Sequence, residues 1–385
     1  MSATDTSRYT GPVGDSPIGA GLPTEEMIIN MGPQHPSTHG VLRLILTLEG
    51  EVVADVDPDI GYLHRGMEKI AENRTYAQYL PYTDRFDYLS AINNNLAYCL
   101  AVEKLAGIEV PERAQYIRVV FAELNRIASH LLFLASFGND VGATTVFLYG
   151  LRERELIVDL FEMALGARLT YSGLRIGGLP YDLPEGFAQA CRTALPQISE
   201  RLAENDRLLT GNRIFEARTR GVGVMSREKA IAWGLSGPTL RGSGAAMDVR
   251  RDDPYCVYDR LDFDVPTFEE GDCLARYLVR IEEMRQSMRI VEQCLKQMPQ
   301  GEVRAKLPRV FKPPAGEAYG RTEAPRGDLS MFVVSDGSTN PCRLRVRAPS
   351  FANLQALREM ARGHKIGDIV AILGSIDIVL GDIDR

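Results

Sequence analysis

Two histidines, His35 and His39, stand four residues apart in the run Gly32 to Gly40, GPQHPSTHG. Histidines at i and i+4 form a metal site when a helix carries them. Pro33 and Pro36 oppose a helix here, so the spacing argues against a metal. A loop histidine between strands suits hydrogen bonding and proton exchange with a ligand, since its pKa lies near ~6.5; an anchoring role in the loop is equally consistent with the residues. Arg85, Asp87 and Tyr88 crowd together in PYTDRFDY. A tyrosine can donate its phenolic proton, although its ordinary pKa of ~10 makes it a weak acid unless tuned. The plainer reading is a capping Asp and a packed Tyr. Asp140, in FGNDVGATT, is placed either to cap the next helix or to orient a histidine and stabilise its cation.

Other chemistries lack their residues. The GVGV run at Gly221 to Val224 has no third glycine and no strand-to-helix setting, so it is no dinucleotide fingerprint. RGSG at Arg241 to Gly244 reads as a turn. No phosphate-binding loop of the Walker kind occurs. The six cysteines, Cys99, Cys191, Cys256, Cys273, Cys294 and Cys342, form no CxxC pair. They read as buried small hydrophobes in a reducing cytoplasm, holding neither zinc nor an iron–sulfur cluster.

The elements that must position these residues follow from periodicity. Met27 to Asn30, Val41 to Leu48 and Val52 to Val56 read as strands, with a turn at Gly50. After Pro111, Ile117, Val120, Leu124, Ile127, Leu131 and Leu134 recur at steps of three and four. They predict a long helix with one buried stripe, ended by Gly138. A second helix is expected from about Phe147 to Arg168. A third follows Gly271 on Leu274, Leu278, Ile281, Met284, Met288, Val291 and Leu295. Residues 212–266 read as loops with short strands, Met331 to Val334 and Leu344 to Val346 as strands, and Phe351 to Met360 and Ile366 to Leu373 as helices.

The expected fold is α+β: a central bundle of long helices, a small N-terminal β-sheet and a mixed C-terminal part. The boundaries are a flexible tail over 1–25 and one domain over 26–385, divided into 26–63, a mainly helical 64–300, and 301–385. The chain has 385 residues, 45% hydrophobic and 25% charged, with net charge −7. The negative balance argues against nucleic acid, which needs a basic face. No stretch of ~20 consecutive apolar residues appears, and the polar N-terminus lacks the apolar core of a signal peptide. Membrane association is therefore expected only through a partner.

Several long runs resemble one family. They are GPQHPSTHGVLRL (32–44), IGYLHRGMEKIAENRTY (60–76), PYTDRFDYLSAINNNLAY (81–98), LAVEKL (100–105) and ASHLLFLASFGNDVGA (128–143). LRGSGAAMDVRRDDPY (240–255), APRGDLSMFVVSDGS (324–338) and GSIDIVLGDIDR (374–385) continue the match to the C-terminus. Together they resemble the 49-kDa-type subunit of respiratory complex I, which is related to the nickel–iron hydrogenase large subunit. The hydrogenases hold their metals with two CxxC pairs. The corresponding positions here fall on Asp87 and Ser90, and on Val379 and Asp382. Without the soft thiolates that nickel and iron require there, such a centre is chemically implausible.

The resemblance implies a quinone headgroup site in the former metal cavity. His39 and Tyr88 would grip the two quinone oxygens, with Asp140 supporting His39. Arg65 and Arg85 would lie near the terminal [4Fe–4S] cluster of a neighbouring iron–sulfur small subunit. Further implied partners are the 30-kDa-type subunit, the membrane subunit that forms the quinone tunnel, and an NADH input module. The implied location is the cytoplasmic face of the inner membrane, peripherally bound. A ferredoxin- or F420H2-fed complex, an energy-converting hydrogenase and a non-catalytic scaffold are the alternatives. Two departures stand out. Thr170 replaces a family histidine, implying weaker pH dependence of the cluster potential. Lys306 to Tyr319 runs through Pro308, Pro313 and Pro314 where a longer helical segment is expected.

Overall fold

A computed structural model describes residues 26–33 and 40–385. The tail assigned to 1–25, and both His35 and His39, lie outside the described residues.

An antiparallel sheet opens the chain: β1 (Glu26–Met31), β2 (Arg43–Glu49) and β3 (Val52–Asp59), in that order. Alternation along β2 puts Leu44, Leu46 and Leu48 into the core, as period-2 patterning requires. Gly50, with φ +64°, makes the expected turn. Short helices α1 (Met67–Glu72) and α2 (Tyr76–Thr83) follow, and then α3 (Ala91–Ala106), α4 (Glu112–Asp140), α5 (Thr144–Leu165) and α6 (Phe187–Leu209). Four short helices come next: α7 (Arg213–Thr219), α8 (Arg227–Ala232), α9 (Gly237–Arg241) and α10 (Val249–Asp252). Helix α11 (Cys273–Gln297) completes the bundle, its N-terminus capped by Asp272, which accepts from the Ala275 amide at 2.7 Å. A second antiparallel sheet, β4 (Gly316–Ala324), β5 (Gly327–Ser335) and β6 (Arg343–Arg347), packs on α3. The chain ends in α12 (Pro349–Gln355), α13 (Leu357–Ala361), α14 (Ile366–Ile376) and α15 (Leu380–Asp384).

The mixed architecture with long central helices is as expected, but several local expectations need correction. Residues 212–266 carry short helices rather than strands. Helix α6 is not among the expected elements, because Pro196 interrupts a pattern in which Cys191, Leu195, Ile198 and Leu202 are buried. Gly138 does not end its helix; α4 continues to Asp140. A Cβ on Gly138 would lie 3.2 Å from the Val146 side chain, so its role is close packing with α5. Of the cysteines, Cys342 is exposed and Cys256 half-buried.

Helix α4 is not buried along a single stripe. Between Tyr116 and Gly138 nearly every side chain is enclosed, including Glu123, Asn125, Arg126, Ser129 and His130. By length and composition α4 could span a membrane, yet 89% of its apolar window is covered by α5, α11, α14 and the rest of the protein. It is a core helix. Its enclosed charges are paired: Arg118 with Glu103 of α3, and Glu123 with Arg126 and with Arg250 of α10; nearby, Arg241 pairs with Glu283 and Glu323. Buried charges persist only with such partners.

The first sheet meets the C-terminal segment. Val53 donates to the carbonyl of His364 at 2.9 Å, and Ile366 to that of Glu51 at 3.0 Å. These bonds fix the N-terminal sheet to the segment leading into α14 and α15.

Candidate functional site

The PYTDRFDY run forms the end of α2 and a turn. Asp87 caps a short 3-10 turn, Tyr88–Ser90, its Oδ1 accepting from the Leu89 amide at 3.1 Å. The cap fixes the carboxylate so that Oδ2 turns inward, where it accepts from Arg326 Nη1 at 2.7 Å. Tyr88 is half-buried. Burial, reinforced by the Asp87 charge, raises its phenol above the ordinary value against the opposing pull of Arg326 and Arg65. At physiological pH it is therefore a neutral hydrogen-bond donor.

Helix α15 packs onto this turn. Arg65 Nη2 donates to the Arg85 carbonyl at 2.8 Å and to the Gly381 carbonyl at 3.3 Å. Asp384 accepts from the amides of Gly61 (2.9 Å) and Leu63 (2.7 Å), holding the loop that carries Arg65. Burial lowers the Arg65 guanidinium, opposed by Asp384 and Tyr88. Arg85 is exposed; it donates to the Pro81 carbonyl and stands 3.6 Å from Asp84. Burial pushes the Asp84 carboxyl up to about 6, although the Ser172 amide donates to it at 2.8 Å.

Beneath the turn, Arg326 stands between Asp87 and Asp377, the residue that caps the C-terminus of α14. Besides Asp87 it donates to Ser129 Oγ (3.0 Å), to Asp377 Oδ1 (3.1 Å) and to the Asp377 carbonyl (2.8 Å). Asp382, fully buried, accepts from the Ser350 amide at 3.1 Å through Oδ2, while its Oδ1 has no hydrogen-bond partner among the described residues. Burial, with the charge of Asp87 added, raises the Asp382 carboxyl to about 6. Burial likewise raises Asp87, against the attraction of Arg326. In the sequence Asp382 stands out only as a substituted position, and Arg326 and Asp377 do not stand out at all. Isolated charges inside apolar runs such as GSIDIVLGDID are the one signal that marks them.

Asp140 is the last residue of α4 and does not cap α5, whose N-cap is Ala143. It packs against α14, where a Cβ on Gly374 would lie 3.1 Å from Asp140 Oδ2. Three residues further along, Asp377 bonds Arg326, so α14 links Asp140 to the Arg326 cluster. His39 lies outside the described residues, but the ends of its segment do not. A Cβ on Gly32 would lie 2.2 Å from the Leu42 carbonyl oxygen, and one on Gly40 3.4 Å from Leu380 Cβ. Arg65, the Arg85–Phe86 backbone and the Gly40 end of that segment thus converge on α15. Thr170, with φ +49°, sits in the stretch that supplies the Ser172 amide to Asp84.

A cavity of about 350 Å³ opens beside this face, lined by Gly61, His64, Asp384 and Arg385 among others. A larger one, about 580 Å³, lies beside Arg118 and Cys256. That is roughly 33 Å along α4 from Asp140 at 1.5 Å per residue, and none of the predicted site residues line it. Among the described residues no group of three or more His, Cys, Asp and Glu side chains could hold a metal ion.

A model of the family "Respiratory-chain NADH dehydrogenase, 49 Kd subunit" matches residues 140–385. The chain is 54% identical over 363 residues to the D-type subunit of NADH-quinone oxidoreductase from Carboxydothermus hydrogenoformans, covering 94% of this chain and 100% of that one. It is 55% identical to the protein of the same name from Dehalococcoides mccartyi, covering 94% and 100%. The second D-type subunit of Rhizobium meliloti is 51% identical over 395 aligned positions, covering 96% and 98%. That alignment exceeds this chain's 385 residues, so the rhizobial relative carries insertions. The full-length match to the first two leaves no room for a long segment missing near 306–319. The shortness expected there as a departure is shared by these relatives.

Proposed function

Because the chain belongs to the 49-kDa subunit family of respiratory-chain NADH dehydrogenases, we propose that it forms the quinone headgroup site of NADH-quinone oxidoreductase. As the D-type subunit of that enzyme it is part of a multi-subunit, membrane-associated oxidoreductase whose substrate is quinone. In the proposed reading, electrons reach the site from the terminal [4Fe–4S] cluster of a neighbouring iron–sulfur small subunit. Tyr88 and His39 address the two quinone oxygens, and Asp140 supports His39. Arg65 and Arg85 face the partner cluster, where a cation favours the reduced state. The 30-kDa-type subunit, the tunnel-forming membrane subunit and the NADH input module complete the assembly at the cytoplasmic face of the inner membrane, where turnover drives proton translocation.

The observation that carries this reading is the convergence of the Tyr88 turn, the Gly40 end of the His39 segment and α15 on one face, over a buried Arg326. A reduced quinone needs two protons and stabilisation of developing negative charge. A neutral phenol backed by a buried guanidinium supplies a donor and a favourable field. Descent from the hydrogenase large subunit accounts for the arrangement: the 87–90 and 379–382 segments still approach each other, now around an arginine.

The test is turnover in membranes carrying Tyr88→Phe or His39→Ala, with cluster reduction by NADH followed in parallel. Loss of quinone reduction by ~100-fold or more, with clusters still reduced, supports the assignment. Unchanged turnover places the headgroup elsewhere.

A further inference from the structure

Between Glu302 and Glu317 the chain carries four cations, Arg304, Lys306, Arg309 and Lys312, and no carboxylate. In a chain of net charge −7 that run stands apart. All four residues are exposed, and among the described residues none of them forms an ion pair. Exposed arginines elsewhere do: Arg168 pairs with Glu162, Arg260 with Glu112, Arg289 with Asp264 and Arg343 with Glu72. Val310, in the middle of the run, is 62% exposed.

The run is held in place at both ends. The Leu179 amide donates to the Val303 carbonyl at 2.9 Å, and the Ala305 amide to the Gly177 carbonyl at 2.8 Å. A Cβ on Gly178 would lie 2.1 Å from the Val303 carbonyl oxygen, so the two segments touch backbone to backbone. The Phe311 ring stands edge-on to Tyr76 of α2, with centroids 5.8 Å apart. Pro308, Pro313 and Pro314 restrict the backbone around it.

Leu307, Pro308 and Phe311 separate two cavities. One, about 300 Å³, is floored by Leu80 of α2 and by Ile176, and rimmed by Arg175, Arg304 and Arg309. No carboxylate among the described residues lines it. Arg175 spends Nη1 on the Ser172 and Leu174 carbonyls, 2.7 Å each. Asp84, whose charge reaches Arg175, is already held by Asn95 and the Ser172 amide. The other cavity, about 420 Å³, is bordered by Lys306 and Lys312, with Glu109 as its one carboxylate among the described residues.

Unpaired cations over apolar hollows complement an anionic partner, and exposed apolar side chains rimmed by charge mark a contact surface. The hollows are small and lie on either side of a rigid run of chain. That suits a polypeptide, which presents side chains at intervals, better than a continuous acyl chain. We propose that residues 303–314 and Arg175 form a docking strip for an acidic, extended segment of another subunit of the oxidoreductase. Its carboxylates meet Arg175, Arg304 and Arg309, and one of its apolar side chains enters the cavity over Leu80. None of the quinone-site residues lines either cavity, so the strip stands or falls independently of the quinone-site reading.

The experiment uses the intact complex, with benzoylphenylalanine in place of Val310 as a photocrosslinker. After irradiation the adduct is identified by mass spectrometry. The expected adduct joins position 310 to another subunit of the complex, within a stretch where Asp and Glu outnumber Lys and Arg. Adding Arg304→Glu and Arg309→Glu should lower its yield at least about tenfold, because like charges then face each other. Arg304→Lys with Arg309→Lys should keep most of it. A crosslink to lipid, to another part of this chain, or to a basic or uncharged stretch overturns the proposal, as does the absence of any protein adduct. A yield unchanged by the glutamates overturns it as well. If the glutamate variant does not assemble, Arg304→Gln with Arg309→Gln, which only removes the charges, takes its place: a severalfold loss of adduct supports the strip and an unchanged yield overturns it.

Discussion

Gly381 lies so close to Phe86 that a Cβ on it would sit 2.5 Å from the Phe86 carbonyl oxygen. The same Cβ would come within 3.1 Å of the Arg85 carbonyl and 3.2 Å of Arg65 Nη2. The two nearest atoms are backbone carbonyl oxygens of the Arg85–Phe86 turn, which cannot swing aside as a side chain can. The Gly381→Ala variant is therefore expected to lose about 1–3 kcal/mol of stability through overpacking. The Tyr88 turn would shift away from α15, and quinone reduction would fall more than the melting temperature suggests. Thermal melting and turnover of the same preparation check both. A variant with wild-type turnover would show that contact with α15 does not position Tyr88.

Arg326 holds Asp87 and Asp377 from the centre of a buried cluster. Replacing it by leucine strands carboxylates in the interior and should cost about 3–5 kcal/mol near neutral pH. The stranded carboxyls would then be raised further, so the folded state binds more protons than the unfolded chain. Stability lost at neutral pH should accordingly return in part as the pH falls. Arg326→Lys keeps a charge without the forked geometry and should be intermediate. Denaturation of the purified complex across pH measures this. A loss independent of pH would point to packing alone.

His130 and Glu123 set opposite ends of an acid-sensitive window. Burial lowers His130 to about 4 even though its Nε2 lies 2.9 Å from Glu283. Burial by itself would raise Glu123, but Arg126, Arg250, Ser287 and Tyr258 outweigh it and bring it down to about 2. In both cases the folded state binds fewer protons than the unfolded chain over the relevant range. Stability is thus complete above the unfolded pKa and declines as the pH falls. The His130 contribution should fade from ~6.5 to about 4, and that of Glu123 from ~4.3 to about 2. The His130→Gln variant should lack the first decline, a difference on the order of 3 kcal/mol. A stability difference that stays constant between these pH values would contradict the assignment of a buried neutral imidazole.

What the sequence by itself determined is the set of elements whose signal is local. Alternation at Leu44, Leu46 and Leu48 specified a half-buried strand, and the three-and-four spacing from Ile117 to Leu134 specified a core helix. Tyr88, Asp87 and Asp140 were recognisable as residues able to do chemistry, and the long matching runs pointed to the family and, through it, to Arg65. Periodicity does not encode which distant segments meet, because each contact depends on packing between elements far apart in the chain. Only the tertiary structure placed Arg326 against Asp87 across 239 residues and enclosed the polar side of α4 as fully as its apolar stripe. Only it brought α15 onto the Arg85–Phe86 backbone and left Asp382 Oδ1 without a donor among the described residues. A charge whose burial nothing along the chain announces became a buried one once its neighbours were folded around it, and burial gives it its chemistry.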